Sequence, residues 1–184
     1  MRTIHIALAF ALATVTFVGC GEKKKTDDII TRKVAKPAVK SPVRMQEYSQ
    51  TKQVEWRGAS LTCEIKRLPS DSLPMVNDET GQKYVDNIVT LSITRNDGST
   101  FVKRTFTKKA FDNCLDNDYR KTGVLEGFVF DRVDGQCLRF AASVCHPQNE
   151  DEFIPIVVKV SPDASLSIAR DTQMDTSGTT AEEE

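Results

Sequence analysis

Chemistry-bearing residues are scarce in this 184-residue chain, which has two histidines, His5 and His146, and a single tryptophan, Trp56. No Cys-x-x-Cys occurs, which removes a thioredoxin-like redox role. Neither Gly-x-Ser-x-Gly, a phosphate-cradling P-loop nor Gly-x-Gly-x-x-Gly is present, so no motif points to a serine hydrolase or a nucleotide enzyme. Charge of one sign is also lacking: 25 Lys and Arg stand against 26 Asp and Glu, leaving no positive field to draw the chain to nucleic acid. Outside the first twenty residues no apolar run reaches the eighteen or so needed to span a bilayer as a helix.

What is present begins with an address. Residues 1–19 carry Arg2, an apolar stretch over residues 4–18 and a small Gly19 before Cys20, the layout of a signal peptide. Phe17, Val18, Gly19 and Cys20 resemble a bacterial lipobox with Phe in place of the usual Leu, and Cys20 is the expected lipidation site. Each buried CH₂ contributes about 0.8 kcal/mol, so one acyl chain is marginal and several hold firmly. The expected partner is therefore the membrane, reached through an N-terminal lipid anchor.

Residues 20–53 hold nine Lys or Arg, four Asp or Glu and little apolar periodicity, and read as a flexible basic tether. Residues 171–184 carry five acids and no base and read as an acidic disordered tail. The fold is expected in residues 54–170. There, apolar residues alternate at period two: Val54 and Trp56; Leu61, Cys63 and Ile65; Val89, Leu91 and Ile93; Leu138, Phe140, Ala142 and Val144; Ile154, Ile156, Val158 and Val160. Gly58, Asn96-Asp97-Gly98 and Asp134-Gly135 mark tight turns between these runs. Thr107 is placed to cap one short helix carrying Phe111, Cys114, Leu115 and Tyr119 and ending near Gly123. Short connections require antiparallel neighbours, because parallel ones need crossovers of a dozen or more residues. The pattern predicts a mainly β fold, an antiparallel meander forming a sandwich or small barrel of about eight strands with one short helix.

With Cys20 set aside, Cys63, Cys114, Cys137 and Cys145 remain, an even number for which an exported chain favours disulfides. Cys137 and Cys145 lie eight residues apart on one strand, about 26 Å at ~3.3 Å per residue, and cannot bridge. Parity sets Cys63 and Cys114 on the core side and Cys137 and Cys145 on the other. Cys63–Cys114 is thus the easiest disulfide, with Cys137 and Cys145 unassigned; the alternative is four small buried hydrophobes.

Candidate chemical sites are few. His146 follows Cys145, but adjacent strand residues face opposite sides, which argues against a Cys–His dyad. No ligand spacing suggests zinc, and the acids at Asp78 and Glu79, at Asp112, Asp116 and Asp118, and at Glu150, Asp151 and Glu152 lack the calcium-loop pattern. Trp56 alternates with Val54 as a core residue would. No catalytic residue, metal or cofactor is assigned.

SLPMVNDETGQKYVDN, LSITRNDGSTFVKRTFTKKAF, DNDYRKTGVLEGFVFDRVDG, LRFAASV and the closing ARDTQMDTS together resemble an uncharacterised lipoprotein family, a domain of unknown function, of Bacteroidales. The resemblance covers residues 54–176 and implies an envelope lipoprotein of the outer membrane, with no catalytic residue to carry over. In that group surface export goes with acids after the lipidated Cys, whereas Gly21-Glu22 is followed here by Lys23, Lys24 and Lys25, which leaves the periplasmic or surface-facing side open. The expected role is a non-enzymatic binding or interaction module with an envelope protein partner. A carrier of a small hydrophobic ligand is the alternative, and a hydrolase using Asp78 or Glu79 a third.

Overall fold

The computed structural model describes residues 40–172. The signal peptide, Cys20 and most of the tether and tail lie outside those residues. Ten strands, a 3₁₀ helix and one α-helix follow in order: β1 (Tyr48–Trp56), β2 (Ala59–Pro69), β3 (Val76–Asn77), β4 (Lys83–Tyr84), β5 (Asn87–Arg95), β6 (Thr100–Phe106), the 3₁₀ helix (Lys108–Cys114), α1 (Asn117–Thr122), β7 (Val124–Asp134), β8 (Cys137–His146), β9 (Asn149–Val160) and β10 (Leu166–Arg170).

The strands form two four-stranded antiparallel sheets, in the order β1-β2-β5-β6 and β10-β9-β8-β7, with β3-β4 as a separate hairpin. The fold is a sandwich and not a closed barrel. Period-two alternation builds it: Val89, Leu91 and Ile93 of β5 point inward, and Leu138, Phe140, Ala142 and Val144 of β8 meet them from the other sheet. Phenylalanines bind the layers together, with Phe106 of β6 stacked 5.1 Å from Phe128 of β7, and Phe128 in turn 5.7 Å from Phe140. Trp56 is a core residue against Phe101.

The turns behave as the sequence predicts. At the β5–β6 turn Gly98 has φ +81, and the Asp97 carboxylate accepts the Ser99 N–H at 2.8 Å. Side chains then close one flank of the sandwich. Gln50 Oε1 accepts the Phe130 N–H at 3.0 Å, and Arg67 donates to the Glu126 carbonyl and, at 3.0 Å, to that of Gln46. These bonds occupy backbone groups on the edge strand β7, which would otherwise stay open to another strand.

Three boundaries differ from the sequence reading. The tether ends early: residues 48–53 belong to β1, paired along β2 from Tyr48 opposite Arg67, and Val43 already bridges to Tyr84. This part of β1 is mostly polar because it lies along the exposed edge of the sheet, so alternation was absent there. The tail begins late, since Asp171 is buried and pairs with Arg139 of β8 at 2.5 Å, while Asp131 holds the same guanidinium at 2.8 Å. The single helix is two pieces. Thr107 occupies the cap position without a side-chain cap bond, and Leu115 is extended (φ −101°, ψ 141°) between the 3₁₀ helix and α1. Phe111, Cys114 and Leu115 are all buried, and an uninterrupted helix would turn Leu115 about 100° away from Cys114.

Candidate functional site

At one end of the second sheet, β7 begins at Val124 and β8 ends at His146, and the chain arriving from residues 43–46 lies against both. That arriving segment is tied down at Val43 by an isolated parallel bridge: Val43 N–H donates to the Lys83 carbonyl at 2.8 Å and Val85 N–H to the Val43 carbonyl at 2.9 Å. Val76, Val124 and Cys145 form a small buried cluster there, covered by Met45 and Tyr84. Beside it opens a cleft of about 340 Å³ whose walls include Val43, Met45, Tyr84, Val85, Val124 and Pro147. This volume lies at the low end of the range for small-molecule sites, about 300–1,000 Å³.

Pro147 is shared with a second, polar depression of about 300 Å³ that carries Asp78, Glu79, Asp118 and Glu152 around His146. The His146 ring sits 4.2 Å from the Tyr119 ring, with Nε2 3.3 Å from Asp118 Oδ2 and Nδ1 3.2 Å from Thr122 Oγ1. Gly123 permits this packing, because a Cβ there would lie 2.6 Å from the Tyr119 carbonyl oxygen and 2.8 Å from Val144 Cγ1. Cys145 and His146 keep opposite surroundings, the thiol in the apolar cluster and the imidazole over α1.

Asp78 has a local task. Its Oδ1 accepts from the Thr80 N–H and hydroxyl and from the Gln82 N–H at 2.7–2.9 Å, and Tyr84 Oη donates to Oδ2 at 3.2 Å. Partial desolvation pulls its pKa upward, but those hydrogen bonds outweigh it and hold the carboxyl below its ordinary range. It thereby organises the β3–β4 turn.

The thiols are dispersed. Cys63 lies in the middle of β2 opposite Lys52 and Ile93, fully buried, and burial pushes its pKa up to about 11. Cys114 ends the 3₁₀ helix, which packs against β10 and β9. Cys63 and Cys114, which parity pairs, are free thiols in the structure, Cys63 on β2 and Cys114 at the end of the 3₁₀ helix, both in the main core; a shared face does not by itself bring two thiols within bridging reach. Cys137 is partly exposed, 3.7 Å from Ser161 Oγ, and Cys145 is buried on the opposite side of β8 from the core. Among the described residues no group of three His, Cys, Asp or Glu side chains is placed to hold a metal ion.

Sequence reasoning missed Asp86, Asn87 and Lys108. Asp86 is 5% exposed, and its Oδ1 accepts the N–H groups of Asn87 and Leu125, each at 2.8 Å. Asn87 Nδ2 donates to the Leu125 carbonyl at 2.8 Å, so adjacent side chains take both backbone groups of one residue in β7. Burial raises the Asp86 pKa against the lowering effect of those bonds and of Lys108. Burial likewise lowers that of Lys108, whose ammonium donates to the Gly123 carbonyl at 2.5 Å. In the sequence, Asp86 and Asn87 look like ordinary loop residues after Val85.

The chain belongs to the family described as Domain of unknown function (DUF4738), whose model matches residues 27–168. No curated protein matches the chain.

Proposed function

We propose that this family member is a cell-envelope lipoprotein of the kind found in Bacteroidales, anchored through acylated Cys20 and acting as a non-enzymatic binding module. The cleft between residues 43–46, Tyr84 and Pro147 is its binding site. The observation that carries this reading is the junction of two surfaces: an apolar cleft opens at Pro147 directly onto a depression bearing four carboxylates. Such a pair suits a peptide segment of an envelope protein that offers an apolar side chain next to a lysine or arginine. The apolar group would fill the cleft between Met45, Val85 and Val124, and the cation would meet Glu79, Asp118 and Glu152. Charge complementarity of this kind sets partner choice and association rate more than total affinity. The signal-like residues 1–19 and the lipobox at residues 17–20 support the anchor.

Two measurements test the reading. The intact mass of protein extracted from its native membrane should correspond to residues 20–184 plus acyl chains, and an unlipidated mass would refute the anchor. For the site, the full chain carrying Cys20→Ser is titrated with short Leu-Lys and Leu-Glu peptides and followed by backbone amide NMR. Leu-Lys peptides should shift the resonances of Met45, Tyr84 and His146, and Met45→Ala or Glu79→Gln should weaken the binding. Equal response to both peptides, or shifts elsewhere on the surface, would refute the assignment.

A further inference from the structure

A third concavity lies between the arm at residues 73–76 and residues 107–121. It encloses about 320 Å³. Lys108, Lys109, Arg120 and Lys121 line it, contributed by the 3₁₀ helix and by α1, against only two carboxylates, Asp86 and Asp112. Among the described residues none of these four cations forms a salt bridge. Lys108 is held on the Gly123 carbonyl, and Arg120 on the Asp112 carbonyl at 2.9 Å and Asn117 Oδ1 at 3.1 Å, so two of the heads are fixed by neutral acceptors. Two backbone N–H groups occupy Asp86 Oδ1, and four cations against two carboxylates leave the pocket with a surplus of positive charge. The opposite wall is apolar, made by Leu73, Pro74 and Met75, and Met75 is 40% exposed.

We infer that this pocket binds a small amphiphile, its anionic head, a carboxylate or phosphate, on Lys109, Arg120 and Lys121 and its apolar stem along Leu73, Pro74 and Met75. Four cations are gathered here against two carboxylates, at a cost in mutual repulsion that an anionic ligand relieves. Of the three heads that meet the anion, Arg120 arrives preorganised, which reduces the ordering cost of binding. Arg and Lys differ usefully in this role, the guanidinium offering a planar fork and the ammonium a compact charge. The apolar wall distinguishes the expected ligand from a bare anion. This site is separate from the cleft beside Tyr84, and each can fail without the other.

The test uses the full chain carrying Cys20→Ser, so that no attached acyl chain competes, and isothermal titration with octyl phosphate, octanoate, inorganic phosphate and octanol. Octyl phosphate and octanoate should bind at least about tenfold more tightly than either phosphate or octanol, and more weakly as salt is raised. The double variant Lys109→Gln/Lys121→Gln, altered at two exposed side chains, should lose about tenfold in affinity. Lys103→Gln/Arg104→Gln, with the same charge change on β6, should stay within about threefold of the unmodified chain. Phosphate binding as tightly as octyl phosphate would overturn the apolar half of the proposal. Octanol binding as tightly would overturn the ionic half, and equal losses in the two double variants would show a diffuse charge effect with no built site.

Discussion

Leu125 is held by a clamp whose energetics can be worked out residue by residue. Its N–H is bonded to Asp86 Oδ1 and its carbonyl to Asn87 Nδ2, both at 2.8 Å and both buried. Asp86→Ala removes the acceptor from two backbone N–H groups, and an unsatisfied buried donor costs about 1–3 kcal/mol. Relief of the buried charge offsets part of this, so the expected loss is about 2–4 kcal/mol. That is a large share of the roughly 5–15 kcal/mol by which domains are stable. At roughly 3–5 °C per kcal/mol for a domain of this size, Tm should fall by about 10 °C. Asn87→Ala should cost about 1–2 kcal/mol, since it frees one carbonyl. Both act on the same residue, so the double variant should lose about 1 kcal/mol less than the sum. Asp86→Asn keeps an oxygen for both N–H groups and should cost less than half as much as Asp86→Ala. It should also alter the pH profile. Burial raises the Asp86 pKa in the folded state, so folding holds a proton that the unfolded chain releases. Its contribution is therefore fully present below the unfolded value of 3.8 and lost as pH rises through the raised folded value. Asp86→Asn should abolish that part of the slope. The assay is urea unfolding from pH 3.5 to 8 with the m-value checked for constancy. Losses below about 0.5 kcal/mol for both alanine variants, adding without coupling, would refute the clamp.

Gly123→Ala should destabilise by about 1–3 kcal/mol through overpacking, since its Cβ would collide with the Tyr119 carbonyl and Val144; a thermal melt with unchanged Tm would contradict this. Iodoacetamide at pH 8 should modify the partly exposed Cys137 first and leave Cys63 untouched until the chain is unfolded, because a buried thiol held near 11 yields almost no thiolate; tandem mass spectrometry of timed aliquots reads the order. Hydrogen bonds from the Ser99 hydroxyl and N–H hold Asp97 below its ordinary pKa, so its stabilising effect is present above the unfolded value of 3.8 and disappears as pH falls through the lowered folded one. Asp97→Asn should flatten the acid limb of the stability curve, and an unchanged limb would place acid sensitivity elsewhere.

The amino-acid order dictates the layered β architecture, because alternation is a local property: Val89, Leu91 and Ile93 must share a face whatever they pack against. It also determined the tight hairpins, since Asn96-Asp97-Gly98 carries its own turn chemistry, and it placed Trp56 in the core. Parity put Cys145 on the face opposite Phe140, where the structure has it. Distances between segments remote in sequence are set by folding alone. Whether Cys63 meets Cys114 is a matter of position within a face, which period two does not encode. Where the tether ends was hidden because the outer part of β1 gains its order from pairing with β2 and not from burial. Asp171 looked like the start of an acidic tail until Arg139, 32 residues earlier, proved to be its buried partner. The two surface pockets belong to the same class: each gathers side chains from segments far apart in the chain, and only folding brings Met45 to Val124 or Leu73 to Lys108.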